Sequence, residues 1–250
     1  MRIFTGLLTL MLLAAWSFAG EVKVAVAANV QSAFSDLVKV FNESNPSITI
    51  VPTFGASGAF TTQIKNGAPF DIFVAADVGF PQELVKAGLS ANEPKVYAQG
   101  AVALFGKSAD LSKGLKVVLD PSVEKIAIAN PKTAPYGRAS EEALKNAGYL
   151  GRSQDKFVYG KSIGDALSLA IADANLGFVA KSAFYSPEMA EYKEGVHWIS
   201  VDPKLYTPIE QAAIILKDAA NNKEAKAFYD FLFTKKAKDV FVGYGYNVPK

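Results

Sequence analysis

The chain has 250 residues, half of them hydrophobic, with 26 basic and 24 acidic side chains, one histidine and no cysteine. That length supports one large core or two of ordinary size. The near-neutral charge excludes a nucleic-acid binder, which needs an excess of Lys and Arg against phosphates, and the missing cysteine excludes thiolate metal sites, thiol catalysis and iron–sulfur clusters.

Arg2 precedes an uncharged run that ends in Ser17-Phe18-Ala19. A charged start, a short apolar stretch and small residues three and one positions before a cut describe a secretory signal peptide over residues 1–19. The run is shorter than the roughly 20 apolar residues a membrane span needs. Cleavage removes Arg2 and no acidic residue, so the formal charge falls from +2 to +1. Without cysteine there is no residue on which a bacterial lipoprotein is anchored. The expectation is therefore a free periplasmic protein whose core needs no disulfides.

Residues 22–26 are predicted to form a strand. The helix that follows places Val30, Ala33, Phe34, Leu37, Val38 and Phe41 at helical spacing. Residues 48–54 read as a strand in which Pro52 marks an edge or an irregularity. A helix from Ser57 to about Asn66 stops at Gly67, a buried-type strand covers 71–76, and a helix over 80–87 ends at Gly88. A second set begins with a strand at 101–105 and continues with a strand at 126–129 and a helix over 138–147. Residues 157–159 then lead to a helix with Ile163, Ala166, Leu167, Ala170, Ile171 and Ala174 on one face, and a short strand covers 177–180. After the loop at 203–208, residues 212–216 read as a strand returning to the first set, followed by two C-terminal helices. Short apolar runs alternating with helical patterns read as α/β. The assignment is two lobes, one of residues 20–98 and 209–250, the other of residues 99–208.

Four loops of small or amide residues lie between a strand and a helix: Ala27-Ala28-Asn29, Gly55-Ala56-Ser57-Gly58, Ala134-Pro135-Tyr136-Gly137 and Lys161-Ser162-Ile163-Gly164. A helix start presents free N–H groups and the positive end of the macrodipole, which suits an anion without any cationic side chain. Small residues let the backbone approach the ion, and Asn29 and Ser57 add an amide and a hydroxyl donor. Asn and Ser are also ordinary N-cap residues. Four such loops over two lobes carry more weight than one.

Other motifs fail. Gly100 to Ser108 has five residues where a phosphate-binding loop has four between its glycines, and its first glycine precedes the strand. Gly55-Ala56-Ser57-Gly58-Ala59 approaches a nucleophile elbow, but the fifth position is Ala59. The single histidine, His197, lies in the apolar stretch Val196-His197-Trp198-Ile199 and reads as structural. A secreted serine hydrolase built on Ser57 is the alternative left open. One histidine and no regular carboxylate cluster give no direct metal site. Asp77 reads as a cap for the helix after it.

At the four loops the chain resembles the periplasmic molybdate-binding proteins of ABC importers. The stretches that carry the resemblance are Val24-Ala25-Val26-Ala27-Ala28-Asn29, Phe54-Gly55-Ala56-Ser57, residues 66–77 and residues 130–137, and the likeness covers essentially the whole mature chain. It implies a type II two-lobed fold with a hinge, no catalysis and no cofactor. The ligand implied is molybdate or tungstate held between the lobes, with sulfate as another candidate oxyanion. The partner implied is an inner-membrane importer permease, with the protein itself monomeric. Motif against motif, the ligand residues fall on Ala28, Asn29, Ser57, Tyr136 and Ile163. The chain departs from the family pattern at Asn29, where many members have serine, and at Ala180, where many have a tyrosine whose hydroxyl takes part.

Neutral donors suit such a ligand. A divalent oxyanion leaving water is compensated best by charge-assisted hydrogen bonds. A phosphate receptor needs an acceptor for the phosphate proton, and no Asp or Glu lies in the four loops. Molybdate and sulfate must then be told apart by cavity size.

Overall fold

The computed structural model describes residues 20–249, so the predicted signal segment, residues 1–19, lies outside it. Among the described residues ten strands form two five-stranded sheets. Strands β1 (Gly20–Ala27), β2 (Ile48–Gly55), β3 (Ile72–Val74) and β4 (Lys95–Gly100) belong to the first sheet. Strands β5 (Val102–Phe105), β6 (Ile126–Ala129), β7 (Phe157–Gly160), β8 (Leu176–Ala180) and β9 (Trp198–Ser200) form the second, and β10 (Ile209–Ile215) returns to the first. The helices are α1 (Gln31–Asn42), α2 (Ser57–Lys65), α3 (Gly79–Lys86), α4 (Pro135–Asn146), α5 (Leu150–Ser153), α6 (Ile163–Ala172), α7 (Lys223–Phe231) and α8 (Lys235–Gly243).

The two sheets share one plan. In the first, ordered β2-β1-β3-β10-β4, β1 lies between two parallel neighbours and β10 runs antiparallel to β3 and β4. In the second, ordered β7-β6-β8-β5-β9, β6 lies between two parallel neighbours and β5 runs antiparallel to β8 and β9. The antiparallel strand in each sheet is the one that has just crossed from the other. Strand order therefore reverses around β1 and around β6, and the carboxyl ends of such strands are where open α/β sheets take ligands.

Burial explains the local assignments. β1 is buried at Val22, Val24, Ala25 and Val26, because a central parallel strand is covered on both faces. Pro52 is tolerated because β2 is an edge strand and needs fewer ladder bonds. On α1, Phe34 and Phe41 meet Phe228 of α7 with ring centroids 5.9 and 5.1 Å apart, edge to face. Each such buried ring contributes roughly 1.5–3 kcal/mol. The core of the second sheet, with Ile128, Tyr136, Ile163 and Phe178, also takes in Ala27, Ala56 and Ala76 from the first. The two sheets thus meet at the ends of their central strands.

β4 was not expected as a strand, because Lys95-Val96-Tyr97-Ala98-Gln99-Gly100 shows no clear alternation. β10 begins at Ile209, three residues before the predicted start, since Glu210 and Gln211 interrupt its apolar run. Its ladder with β4 shifts register between Gln211 and Ala212. No helix among the described residues is long and apolar enough to cross a membrane.

Candidate functional site

Each of the four loops ends a strand and opens a helix or helical turn. A turn at Ala28–Val30 follows β1, and α2 opens at Ser57 after β2. In the second sheet, α4 opens at Pro135 after β6, and α6 opens at Ile163 after β7. Proline at the first position of α4 suits a residue that has no N–H to lose. Ala28, Asn29, Ser57, Tyr136 and Ile163 line a single small cavity. Its remaining wall is Ala27, Gly55, Ala56, Ala76, Ala134 and Pro135, so no described lining residue carries a charge. A larger cleft adjoins it past Ala28, Asn29 and Ile163, and Ala180 lies on that cleft instead of in the small cavity.

The serine is arranged as a donor. Ser57 is 1% exposed and makes no capping bond to its own helix. Its Oγ accepts a hydrogen bond from the Ala76 N–H at 2.9 Å, which leaves the hydroxyl proton available to the cavity. Ser162 behaves differently, since its Oγ accepts from the Asp165 N–H and Asp165 returns the bond in a capping box. Of the two loop serines, one is a cap and the other is not. The first-turn N–H groups of Ser57, Tyr136 and Ile163 have no intrahelical acceptor.

The asparagine sits in a buried polar cluster. Asn29 Nδ2 donates to Gln211 Oε1 at 2.6 Å and to Tyr246 Oη at 3.1 Å. Its backbone carbonyl accepts from Tyr246 Oη at 2.7 Å and from Ser182 Oγ at 3.0 Å. Tyr97 donates to Gln211 Oε1 and to the Ala75 carbonyl. Burial raises the pKa of the Tyr136 and Tyr97 hydroxyls well above the usual tyrosine value, and nearby tyrosines add to it, while the Asn29 side chain beside Tyr136 acts in the opposite direction. Burial likewise pushes Tyr246 up to about 12, against hydrogen bonds with Ser182, Asn29 and Gln211 that lower it. All three stay neutral at physiological pH, so no phenolate opposes an anion.

Close packing joins the sheets around the cavity. The Gly58 N–H donates to the Thr133 carbonyl at 2.9 Å, and a Cβ on Gly58 would lie 2.9 Å from Thr133 Cα. A Cβ on Gly137 would lie 2.1 Å from the Ala129 carbonyl oxygen, so α4 can rest on the end of β6 only with glycine there. Asp77 accepts from the Phe80 N–H at the start of α3, as its position predicted, and its other oxygen pairs with Arg138 on α4.

His197 is half-buried just before β9, where Nδ1 accepts from the Lys193 N–H at 3.0 Å. The Ser57 hydroxyl is partnered by a backbone amide, and His197 is not on the cavity wall. The hydrolase alternative therefore has no base at its nucleophile.

A sequence profile described as bacterial extracellular solute-binding protein matches residues 22–247. The chain belongs to this family. It is 38% identical over 240 residues to the molybdate-binding protein ModA of Azotobacter vinelandii, covering 95% of this chain and 94% of the relative. It is also 38% identical to the ModA of Rhodobacter capsulatus over 244 residues, covering 97% and 94%. A solved structure of the Azotobacter vinelandii periplasmic molybdate-binding protein superposes with a TM-score of 0.83 at 30% identity, over 92% of this chain and 100% of that one. The fold is the two-lobed type II α/β fold of periplasmic binding proteins.

Within this solute-binding protein, Gln211, Tyr246 and Ser182 bond to Asn29 and Tyr97 bonds to Gln211, and sequence reasoning singled out none of them. A glutamine inside the apolar run of β10 was the one available signal, because a buried polar side chain needs partners.

Proposed function

We propose that this solute-binding protein captures molybdate, and also tungstate, in the cavity between its lobes and delivers it to an ABC importer. The observation that carries this is the convergence of four helix starts, two from each sheet, on one small cavity with a neutral wall. Ser57 supplies a hydroxyl, Ala28 and Ile163 supply backbone N–H groups, Tyr136 its backbone N–H, and Asn29 an amide. The names of the ModA relatives support the choice of molybdate. The proposed lobes are residues 20–98 with 209–250 and residues 99–208, a division supported by the two passages of the chain between the sheets, after β4 and before β10. Residues 1–19 are a signal peptide that delivers a monomer to the periplasm.

Binding closes the lobes, and a transporter that stabilises the open state releases the ligand, because a ligand shifts such an equilibrium only by its differential affinity. A thermal-shift panel on residues 20–250 tests the reading. Molybdate and tungstate should raise Tm, with about 4 kcal/mol of stabilisation at 1,000 times Kd. Sulfate should shift Tm weakly and phosphate should not shift it. An equal shift with phosphate would contradict the neutral-donor account.

A further inference from the structure

Among the described residues, Asn29 Oδ1, Gln211 Nε2 and Tyr136 Oη are buried without a hydrogen-bond partner. Asn29 is 4% exposed, Tyr136 1% and Gln211 not at all. Tyr136 Oη and Gln211 Nε2 lie together, and Asn29 adjoins the same glutamine. A Cβ on Gly100 would sit 1.9 Å from Tyr136 Oη and 2.7 Å from Gln211 Nε2, so the hydroxyl and the amide share one space above that glycine. The other end of the Gln211 amide lies 2.6 Å from Asn29 Nδ2. Unpaired buried groups are costly, and a cluster with three of them invites the arrangement that pairs them.

A primary amide carries an oxygen acceptor and a nitrogen donor on one planar group, so turning it by 180° exchanges the two at nearly the same positions. Turning both amides changes the pairing. Gln211 Oε1 then faces Tyr136 and accepts its O–H, while Gln211 Nε2 donates to Asn29 Oδ1 and to Tyr97 Oη. Tyr97 keeps its bond to the Ala75 carbonyl. Ser182 holds the Asn29 carbonyl, which frees the Tyr246 O–H for Asn29 Oδ1. The Asn29 N–H₂ is released from Gln211 and occupies the position of the unpaired oxygen, on a residue that lines the cavity.

We propose that Gln211 is a positioning residue for anion capture: it accepts from Tyr136, donates to Asn29 Oδ1, and so presents the Asn29 N–H to the oxyanion. The ladder between β4 and β10 supports this: Gln211 pairs with Ala98 and Ala212 with Val96, so Tyr97 is the extra residue of a bulge on β4, and its hydroxyl lies 3.0 Å from Gln211 Oε1. Gln211 also stands on the strand that returns from the second sheet to the first, between Asn29 of one and Tyr136 of the other. The inference rests on the reading of the cavity as an oxyanion site.

A double-mutant cycle with molybdate as the probe tests it by calorimetric titration. Gln211→Met should weaken molybdate binding about ten- to a hundredfold when Asn29 is present. In an Asn29→Ser background the loss should shrink to less than about twofold, because a hydroxyl turns to its acceptor without an orienting partner. An equal loss in both backgrounds, or none in either, overturns the positioning role. A merely structural Gln211 lowers Tm in both backgrounds and leaves the cycle additive. Should Gln211→Met not fold, the side-chain amide resonances of Asn29 in the wild-type protein, assigned by their absence in Asn29→Ser, give a second reading. Molybdate should shift both resonances, and unmoved resonances overturn the proposal. Wild-type protein that ignores molybdate while its fold is intact overturns the oxyanion reading and this inference together.

Discussion

Ser57 Oγ accepts from the Ala76 N–H at 2.9 Å, and that one bond decides what the hydroxyl can do. Its acceptor side is engaged by backbone from the end of β3, so its proton is aimed by elimination at the cavity. Ser57→Ala removes a donor to a desolvated anion, and such a bond contributes roughly 1.5–3 kcal/mol. Molybdate affinity should fall about ten- to 150-fold by calorimetric titration. Ser57→Asp should be worse than Ala, because its carboxylate repels the anion. A stable Ser57→Asp protein with near wild-type affinity would remove Ser57 from the site.

Gly137→Ala should destabilise the fold as well as the site. The new methyl would lie 2.1 Å from the Ala129 carbonyl oxygen, and backbone cannot swing aside as a side chain does. A loss of about 1–3 kcal/mol in urea denaturation is expected, with the start of α4 displaced from the cavity.

The Asp77–Arg138 pair joins α3 of one sheet to α4 of the other. Asp77 keeps only 16% of its side chain exposed, whereas Arg138 keeps 48%, so the pair is partly screened. A pair of this kind is worth about 0.2–1 kcal/mol. Arg138→Gln should therefore speed molybdate dissociation by about 1.4- to fivefold in stopped-flow measurements. Unchanged dissociation would show that the pair does not hold the closed form.

The buried tyrosines set the alkaline limit. Tyr246 titrates near 12 in the folded protein because burial disfavours its phenolate, against about 10 when exposed. A raised value means that the folded state holds its proton more tightly. The stability is intact below pH about 10 and is lost as pH rises from there towards 12. Tyr246→Phe should flatten that decline in urea midpoints measured from pH 9 to pH 12. Molybdate affinity should not vary near neutral pH, since the cavity wall carries no Asp, Glu, His, Lys or Arg and burial raises the Tyr136 hydroxyl well above its usual range.

Much of this was legible in the sequence, for identifiable reasons. The loops around Asn29, Ser57, Tyr136 and Ile163 stood out because backbone approach to an ion demands small residues, and helix starts follow the apolar strands. α1 and α6 were legible from the spacing of Phe34, Leu37 and Phe41 and of Ile163, Ala166 and Ala170. β4 was hidden because Tyr97, Ala98 and Gly100 are buried without alternating. Asn29 could be named as a donor, but the cluster that orients it could not. Gln211 is 182 residues away in sequence and Tyr246 is 217, and single-chain periodicity carries no record of such pairings. The position of Ala180 on the larger cleft was likewise invisible, because it depends on how the two sheets face each other.

The central claim is that one oxyanion sits among the four helix starts, held by neutral donors. Anomalous diffraction at the molybdenum edge from crystals grown with molybdate tests it most directly. The account predicts a single strong peak in the cavity, within hydrogen-bonding reach of an oxygen shell to Ser57 Oγ, the Asn29 side-chain amide and the backbone N–H groups of Ala28, Tyr136 and Ile163. A peak in the larger cleft beside Ser35 and Glu188, or against the exposed lysines with the cavity empty, would contradict it.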